Sequence, residues 1–383
     1  MTRQHADVVV VGGGCVGASI TYHAAAAGAG SVVLLERAEE LGTGSTAAAA
    51  GGFRHQFGSR INVQLSLASI PMILGFEEEH GLPLDVHQDG YLFLVRDEAS
   101  WEGFRRGAEM QRGLGAAVEL LSPEEAARLI PGLAVEDVVG ATFGPEDGIA
   151  DPSGLTQGYA TLARRAGAKI ETGVEVTGLE MDGDRVVGVR TSAGEASAGA
   201  VVNAAGAWAG RLAATAGVDL PLEPIPRTVV VTGGFPGAPE RRTLVVDTAT
   251  SFYFHREGPG VLMGMGTPEE RASFEVRVDQ GFVSELLLPR ALEVFPPVED
   301  AAVEHAWCGL YEMTPDRHPI LGPAAPGLIL ANGFSGHGFQ HAPIVGKLIA
   351  EMLTEGEAST VDVRSLALER FARGDLVVES HFI

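Results

Sequence analysis

The stretch VVVVGGGCVG, residues 8–17, joins four consecutive valines to a cluster of glycines. A continuous β-branched run is typical of a strand that is buried on both faces. The alanine-rich stretch that follows, residues 18–30, ends in glycines and indicates a helix with its stop signal. The apolar SVVLLE, residues 31–36, indicates a second strand. The sequence therefore predicts a βαβ unit over residues 7–37.

The glycines of this turn have the spacing of a dinucleotide-binding fingerprint. Gly12, Gly14 and Gly17 form GxGxxG directly after the strand, and Glu36 ends the second strand. The first glycine permits a tight turn, the second lets the backbone approach a pyrophosphate, and the third lets helix and strand pack closely. The helix N-terminus offers N–H groups to phosphates, and Glu36 can accept hydrogen bonds from ribose hydroxyls. Since an acidic residue argues against a 2′-phosphate, FAD and NAD remain open.

Composition disfavours several classes of partner. Of 383 residues 45% are hydrophobic, and 50 acidic against 27 basic residues give a formal net charge of −23. Such acidity disfavours nucleic acid and anionic membranes. No apolar run approaches the roughly 20 residues that span a bilayer, and no signal peptide is evident. The two cysteines, Cys15 and Cys308, form no disulfide framework. We therefore expect a cytoplasmic protein without membrane insertion.

Strand and helix signals after residue 80 predict a discontinuous fold of the α/β class. A helical pattern at residues 155–166 and a strand at 168–171 resume the βα pattern, whereas residues 221–297 alternate with period two before a helix near 282–292. We predict a Rossmann-like nucleotide-binding domain and an α+β substrate or cap domain on a mixed, largely antiparallel sheet. The first domain takes residues 1–80, 146–220 and 305–383, and the second takes residues 81–145 and 221–304.

Six motifs distributed over nearly the whole chain carry a family resemblance. They are VVVVGGGCVG (8–17), LLER (34–37), GSTAAAAGGFRHQF (44–57), VVNAAGAWAG (201–210), YEMTPDRHPILGP (311–323) and NGFSGHGFQHAP (332–343). Together they resemble the D-amino-acid-oxidase-like flavoprotein superfamily, in particular its branch with sarcosine oxidase β subunits, monomeric sarcosine oxidase and glycine oxidase. The resemblance implies FAD as the cofactor of the first domain.

The resemblance also implies which residues contact FAD. The diphosphate would lie at the glycine turn, the adenosine ribose at Glu36, and the flavin's pyrimidine edge against the C-terminal loop. A helix beginning beyond that loop, with Pro343 in its first turn, would direct its positive end at the reduced flavin. The implied cofactor-binding residues are Gly12, Gly14, Val16, Gly17, Glu36, Arg37, Gly44, Ser45, Thr46, Val174, Ala205, Gly206, Gly336, His337, Gly338, Phe339 and Gln340.

A substrate site is implied beside the flavin. In the family, the arginine at the place of Arg54 binds the substrate carboxylate, and we interpret the small residues 47–52 as letting the backbone run under the ring system. A structural ion pair is the alternative role for Arg54. His55 could orient or deprotonate the amine, with a structural role as the alternative. Period-two alternation places Tyr253 on the face opposite Phe252 and Phe254, where it would line the pocket, with packing within the sheet as the alternative. The implied reaction is oxidation of the C–N bond of a small secondary or N-methyl amino acid to an imine, by hydride transfer to flavin N5.

Departures from the family pattern affect the contacts with the substrate carboxylate and the covalent attachment of the flavin. Gln340 replaces a lysine that is a second contact to the carboxylate in sarcosine oxidases, and it can donate a hydrogen bond without charge. Gly309 aligns with the cysteine that attaches flavin covalently in some members, with Cys308 one residue away. The sequence therefore predicts non-covalent FAD.

Other departures affect the electron acceptor. Leu262 aligns with a lysine that activates O₂ in the monomeric oxidases, and Gly51 replaces a further arginine. Slow reaction with O₂ would fit a β-type subunit of a hetero-oligomeric amino-acid dehydrogenase, which passes electrons to another acceptor or partner subunit.

Three further alternatives stay open at this stage. One is a non-catalytic flavoprotein assembly factor, and another is an NAD-dependent dehydrogenase, in which NGFSGHGFQHAP would have no role. The third is a zinc site at His337 and His341, whose spacing suits a helix. Because no HExxH glutamate accompanies them and glycines flank His337, we expect no metal.

Overall fold

The computed structural model describes residues 4–267 and 269–381. Strands are β1 (Gln4–Val11), β2 (Val32–Leu35), β3 (Gly52–Phe53), β4 (Val86–His87), β5 (Tyr91–Val95), β6 (Glu119–Leu121), β7 (Gly140–Gly144), β8 (Gly148–Ala150), β9 (Lys169–Glu171), β10 (Val176–Asp182), β11 (Arg185–Thr191), β12 (Gly194–Asn203), β13 (Glu223–Thr232), β14 (Leu244–Asp247), β15 (Phe252–Glu257), β16 (Gly260–Gly264), β17 (Val303–Met313), β18 (Ile320–Ala325) and β19 (Leu328–Asn332). Helices are α1 (Cys15–Ala26), α2 (Arg60–Leu74), α3 (Phe76–His80), α4 (Glu98–Leu114), α5 (Pro123–Leu129), α6 (Pro152–Arg165), α7 (Ala209–Ala214), α8 (Gln280–Phe282), α9 (Leu288–Val294), α10 (Gly338–Glu355) and α11 (Glu369–Arg373).

The first sheet contains the predicted βαβ unit. Five strands run parallel in the order β19-β12-β1-β2-β9, with Val9 paired to Val33 on one side and to Val201 on the other. The valine run is buried on both faces, since α1 and α10 cover one face and α7 the other. Antiparallel β10 and β11 extend β12, and β18 pairs with β19. The predicted Rossmann-like fold class is confirmed.

The second sheet is mixed and largely antiparallel, as predicted. Its order is β17-β13-β16-β15-β14-β5-β7-β6, in which β14 and β5 form a parallel pair. The helical stretch over residues 280–294 covers one face and contains a π turn at Val283–Leu287. Phe252 and Phe254 are buried against this helical stretch. Tyr253 therefore points to the opposite face, as the alternation predicted.

Sheet membership follows the predicted division of the chain except at one strand. Val303–Met313 pairs along its length with β13, so it belongs to the second sheet although we assigned residues from 305 onward to the first domain. The division into two domains itself stays a prediction. A small sheet, β3-β8-β4, joins segments from both predicted domains.

Helix α10 begins earlier than predicted. We expected the helix beyond Gln340 with Pro343 in its first turn, but it begins at Gly338 and Pro343 lies inside it. The Ser69 hydroxyl donates to the Gln340 carbonyl at 2.6 Å and accepts from Ile344 N at 3.4 Å, which satisfies backbone groups near the proline. Within residues 4–267 and 269–381, no helix has both the length and the apolar character needed to cross a membrane.

Candidate active site

A cleft of about 800 Å³ opens where the first sheet's parallel strands end and is closed on its far side by the second sheet. Ligands bind beyond the carboxyl ends of such strands in open α/β sheets. Most of the residues predicted to contact a cofactor line this cleft. They are Gly12, Gly14, Val16, Glu36, Arg37, Gly44, Ser45, Thr46, Val174, Ala205, Gly206, Gly336, His337, Gly338, Phe339 and Gln340.

One end of the cleft is built by the glycine turn. Gly12 has φ +108°, and a Cβ there would lie 2.4 Å from the Ala204 carbonyl oxygen. Gly17 is not among the described cleft-lining residues, but a Cβ on it would lie 1.9 Å from the Gly12 carbonyl oxygen. Gly17 therefore has the predicted packing role. The turn leaves the N-terminus of α1 facing the cleft, which suits a diphosphate.

The acidic residue of the fingerprint organises the same turn. The Glu36 carboxylate accepts hydrogen bonds from Gly13 N at 2.6 Å and from Ala38 N at 2.9 Å. Because a carboxylate has about four lone-pair sites, it retains acceptor capacity for ribose hydroxyls. Val174 N donates to the Glu36 carbonyl, and the Arg37 guanidinium lies 3.7 Å from the Trp208 ring centroid. This donor and acceptor set fits an adenosine diphosphate group.

The small-residue stretch, residues 47–52, passes close to the second sheet. A Cβ on Gly309 of β17 would lie 2.5 Å from Ala48 Cβ, and Trp307 Nε1 donates to the Ala48 carbonyl at 3.1 Å. Gly51 has φ +76°, and a Cβ there would lie 2.3 Å from the Ala150 carbonyl oxygen. Small side chains are therefore required by packing on both sides as well as by the cleft, whose lining includes Ala48 to Gly52.

Arg54 reaches the cleft wall but is only 2% exposed. Its guanidinium donates to the main-chain carbonyl of Gln56, to that of His381 at 2.7 Å, and to His337 Nε2 at 3.4 Å. It also lies 3.9 Å from the Phe57 ring centroid. Burial lowers the pKa of Arg54, and the nearby acidic groups partly oppose this shift. The guanidinium stays charged, because arginine is not deprotonated in proteins.

Gln340 holds the main chain of Arg54. Its Oε1 accepts from Arg54 N and its Nε2 donates to the Arg54 carbonyl, both at 3.1 Å, and Nε2 also lies 2.9 Å from Ser66 Oγ. Both amide hydrogens therefore have protein partners in this arrangement. The Gln340 amide therefore has no free N–H group for the hydrogen bond to a substrate carboxylate that we predicted for it.

His55 points away from the cleft. Its Nδ1 lies 2.7 Å from the Asp147 carboxylate, which also accepts from His55 N at 2.8 Å. Both residues are buried, and His55 is not among the described cleft-lining residues. The geometry favours the structural alternative for His55, and its predicted contact with the amine stays a prediction.

Of the three tyrosines that line the cleft, the sequence identified one, and it did not identify the buried Arg227. Tyr253 lines the cleft as predicted, together with Tyr91, Tyr311 and Arg227. Burial raises the pKa of all three tyrosines, so their hydroxyls are protonated and able to donate. Arg227 is 8% exposed, and its guanidinium lies 4.9 Å from the Tyr311 ring centroid. A lone arginine within the apolar EPIPRTVVVT strand was the signal that could have identified it.

Two ionisable groups of β17 also line the cleft. Burial raises the pKa of the Glu312 carboxyl to about 7, although it accepts from Phe334 N. Burial likewise raises the pKa of the Cys308 thiol. Leu262, aligned with the oxygen-activating lysine, is buried and is not among the described residues that line the cleft.

The two histidines considered for zinc pack against an aromatic ring instead. His337 and His341 lie 4.8 Å and 5.6 Å from the Phe57 ring centroid and 6.3 Å from each other. Within the described part of the chain, no group of three or more His, Cys, Asp or Glu residues is positioned to hold a metal ion.

Comparison with known proteins gives consistent matches. Residues 7–352 match the family described as FAD dependent oxidoreductase (DAO). The chain is 33% identical over 427 residues to FAD-dependent oxidoreductase domain-containing protein 1 of Bos taurus, covering 98% of this chain and 87% of that protein. Identity to the mitochondrial dimethylglycine dehydrogenase of Mus musculus is also 33%, over 93% of this chain and 43% of that longer protein.

A solved structure matches along nearly its whole length. The L-proline dehydrogenase from P. horikoshii superposes with a TM-score of 0.90 at 32% identity, covering 98% of this chain and 100% of that one. The site agrees with these matches. Its glycine turn, the Glu36 carboxylate and the long cleft fit a bound dinucleotide.

Proposed function

The chain belongs to the family of FAD-dependent oxidoreductases, and from that premise we propose that it oxidises the carbon–nitrogen bond of a small secondary or N-methyl amino acid, of the sarcosine, proline or glycine kind. A dimethylglycine dehydrogenase and an L-proline dehydrogenase among its relatives support this substrate class. Bound FAD supplies the hydride acceptor, N5 of its flavin ring, and the amino acid leaves as an imine that water hydrolyses. The protein supplies binding, orientation and polarity.

The observation that carries the proposal is the cationic, tyrosine-lined end of the cleft. Two buried arginines, Arg54 and Arg227, reach it together with three protonated tyrosines. An arginine and a carboxylate form charge-assisted hydrogen bonds, so this end suits the carboxylate of an amino acid. The chain's net charge of −23 does not prevent this, because exposed charges are screened beyond roughly 8 Å at physiological salt.

We assign Arg54 to the carboxylate, as the resemblance implied. A guanidinium has five N–H donors, of which the Gln56 carbonyl, the His381 carbonyl and His337 engage three. We propose that the remaining donors bind the substrate carboxylate, and the fixed partners orient the group beforehand. The tyrosine hydroxyls would donate hydrogen bonds in the same region, and the amine would bind in its neutral form.

We further propose that FAD is held without a covalent bond. Gly309 stands where some family members carry the linking cysteine, and burial raises the pKa of the neighbouring Cys308 thiol. The nucleophilic form of cysteine is the thiolate, so a raised pKa disfavours attachment. Acid precipitation should leave the flavin in the supernatant; flavin retained by the washed precipitate would contradict this.

A second candidate, a dehydrogenase subunit that passes electrons to an acceptor other than O₂, is favoured by one observation. The chain's two lysines are Lys169 and Lys347, and neither is among the described residues that line the cleft. No lysine ammonium group therefore stands there to stabilise the charge that O₂ acquires on reduction.

An anaerobic reduction screen tests the proposed function. The FAD-loaded enzyme is mixed without O₂ with N-methyl, cyclic and primary amino acids, and with each amine lacking its carboxylate. We expect loss of the oxidised flavin absorbance with secondary or N-methyl amino acids, and little with the decarboxylated amines. Flavin that no amino acid reduces would reject the proposal and favour a non-catalytic flavoprotein.

A further inference from the structure

Two buried arginines of the cleft, Arg54 and Arg227, differ in the kind of partner that they contact. Arg54 donates to fixed main-chain carbonyls, and the carboxylates nearest to it, Glu379 and Asp147, are themselves fully buried. Arg227 instead forms an ion pair with a side chain, that of Glu270. The Arg227 side chain is 9% exposed and that of Glu270 is 23% exposed. The partner of Arg227 is therefore more accessible than those of Arg54.

Glu270 belongs to a stretch that links the second sheet to the helix covering it. Strand β16 ends at Gly264 and α8 begins at Gln280, and the described residues between them form no helix or strand. The Glu270 carboxylate also accepts a hydrogen bond from Thr267 N at 2.9 Å. It would thus keep a local partner without Arg227, whereas a buried guanidinium left without a partner would destabilise the folded protein.

Arg227 is directed at the region where the substrate carboxylate is expected. It lies on β13 opposite Gly309, the residue that contacts Ala48 in the small-residue stretch before Arg54. Its guanidinium lies over Tyr311, and both side chains line the cleft. Because the Gln340 amide is occupied by the Arg54 main chain, the buried Arg227 is a cation that can supply a second contact to the carboxylate.

We propose that Arg227 binds the substrate carboxylate and that Glu270 is its counter-ion only while the site holds no substrate. This rests on the proposed function, since it assumes an anionic substrate. An incoming carboxylate replaces the Glu270 carboxylate on Arg227, so the number of charges in the buried region is unchanged. Glu270 thereby competes with the substrate and favours ligands that carry a full negative charge over neutral amides.

Opposite effects of two variants test this competition. Binding of 2-furoate and its uncharged analogue 2-furamide to the oxidised, FAD-loaded enzyme is measured by isothermal titration calorimetry. We expect Arg227→Gln to raise the Kd of 2-furoate at least tenfold and Glu270→Gln to lower it at least threefold. Neither variant should change the Kd of 2-furamide by more than about twofold.

The matched controls are Arg277→Gln and Glu275→Gln, which alter an exposed ion pair in the same stretch. They should leave both Kd values unchanged. If Arg227→Gln fails to fold with FAD, the proposal is tested by Glu270→Gln alone, through the lower Kd of 2-furoate that we expect for this variant. The proposal is overturned if Glu270→Gln leaves 2-furoate binding unchanged or weakens it, or if wild type does not prefer 2-furoate to 2-furamide.

These outcomes are distinguishable from failure of the proposed function. If amino acids reduce the flavin of the wild-type enzyme but Glu270→Gln leaves 2-furoate binding unchanged, the role of Arg227 is rejected and the proposed function is retained. A flavin that no amino acid reduces, combined with the opposite shifts in Kd, rejects amino-acid oxidation but retains an anion site at Arg227.

Discussion

The side chain of Gln340 forms hydrogen bonds with both main-chain polar groups of Arg54, N–H and C=O, each at 3.1 Å. The two residues are 286 positions apart in the sequence and both are buried. One carboxamide thus joins the start of α10 to the segment that carries the predicted carboxylate-binding residue. The orientation of Arg54 therefore depends on Gln340 rather than on local sequence alone.

Replacing Gln340 by alanine should destabilise the protein by on the order of 3 kcal/mol, because two buried backbone groups lose their partners at about 1–3 kcal/mol each. Denaturant unfolding of the FAD-loaded enzyme measures the free energy of unfolding. Gln88→Ala is the control, since the Gln88 amide donates to the Glu146 carbonyl at an exposed position. Equal stability of the two variants would show that the contact between Gln340 and Arg54 contributes little.

Replacing Arg54 by methionine should raise the apparent KM for a carboxylate-bearing amine roughly 10- to 100-fold, since hydrogen bonds to charged groups contribute about 1.5–3 kcal/mol. Steady-state kinetics with an amino acid identified in the anaerobic screen provides the measurement. Arg370→Met is a matched control, because Arg370 is also buried but pairs with Asp316 and is not among the described residues that line the cleft.

The control variant should lose stability without a change in KM. An unchanged KM in Arg54→Met, with normal FAD content, would contradict the assignment of Arg54 to the carboxylate. A loss of stability alone would make Arg54 a structural residue that joins Gln56, His381 and His337.

Local patterns in the sequence predicted the elements of the first sheet, and most of the residues that we predicted to contact a cofactor line the cleft. One βαβ unit contains the valine run, the GxGxxG spacing and Glu36, so the signals that predict this unit all lie in one short stretch of sequence. Alternation also identified the outward face of Tyr253. The carbonyl of His381, by contrast, reaches Arg54 from 327 positions away. No periodicity in the sequence encodes such a contact. The hydrogen bonds between the Gln340 side chain and the Arg54 main chain likewise form only when the chain is folded.

Replacing Gly17 by alanine should abolish FAD retention. A Cβ at this position would lie 1.9 Å from the Gly12 carbonyl oxygen, a backbone atom, so helix α1 must move away from the turn that we predict to hold the diphosphate. FAD content after purification and the circular dichroism spectrum measure the effect. Gly113→Ala is the control in helix α4, where an added Cβ meets nothing within 4 Å. FAD bound normally by Gly17→Ala would show that the helix can shift without loss of the site.

Glu312 should make stability depend on pH around neutrality. Burial raises the pKa of its carboxyl from 4.5 to about 7. The unfolded chain therefore releases this proton at lower pH than the folded protein, so the free energy of unfolding falls as pH rises from about 4.5 to about 7. At 1.36 kcal/mol per pKa unit, the loss amounts to about 3 kcal/mol.

The variant Glu312→Gln should lack this loss. Its stability relative to wild type should rise through the same pH window and stay constant above it, as measured by denaturant unfolding at each pH. Glu77→Gln, at an exposed position, should parallel the wild type. A constant difference between Glu312→Gln and wild type from pH 4.5 to 8 would show that the carboxyl ionises normally in the folded protein.

Reduced enzyme should react with O₂ at least tenfold more slowly than with a dye acceptor such as phenazine methosulfate. Reduction of O₂ by one electron creates a negative charge that a nearby cation stabilises, and an apolar side chain such as that of Leu262 cannot do so. Lys169 and Lys347 are both exposed and are not among the described cleft-lining residues. Arg54 and Arg227 have anionic or carbonyl partners, which reduces their effect on O₂.

Stopped-flow mixing of anaerobically reduced enzyme with each acceptor measures the two rates. Peroxide formed as fast as the dye is reduced would contradict this prediction and favour an oxidase over a dehydrogenase.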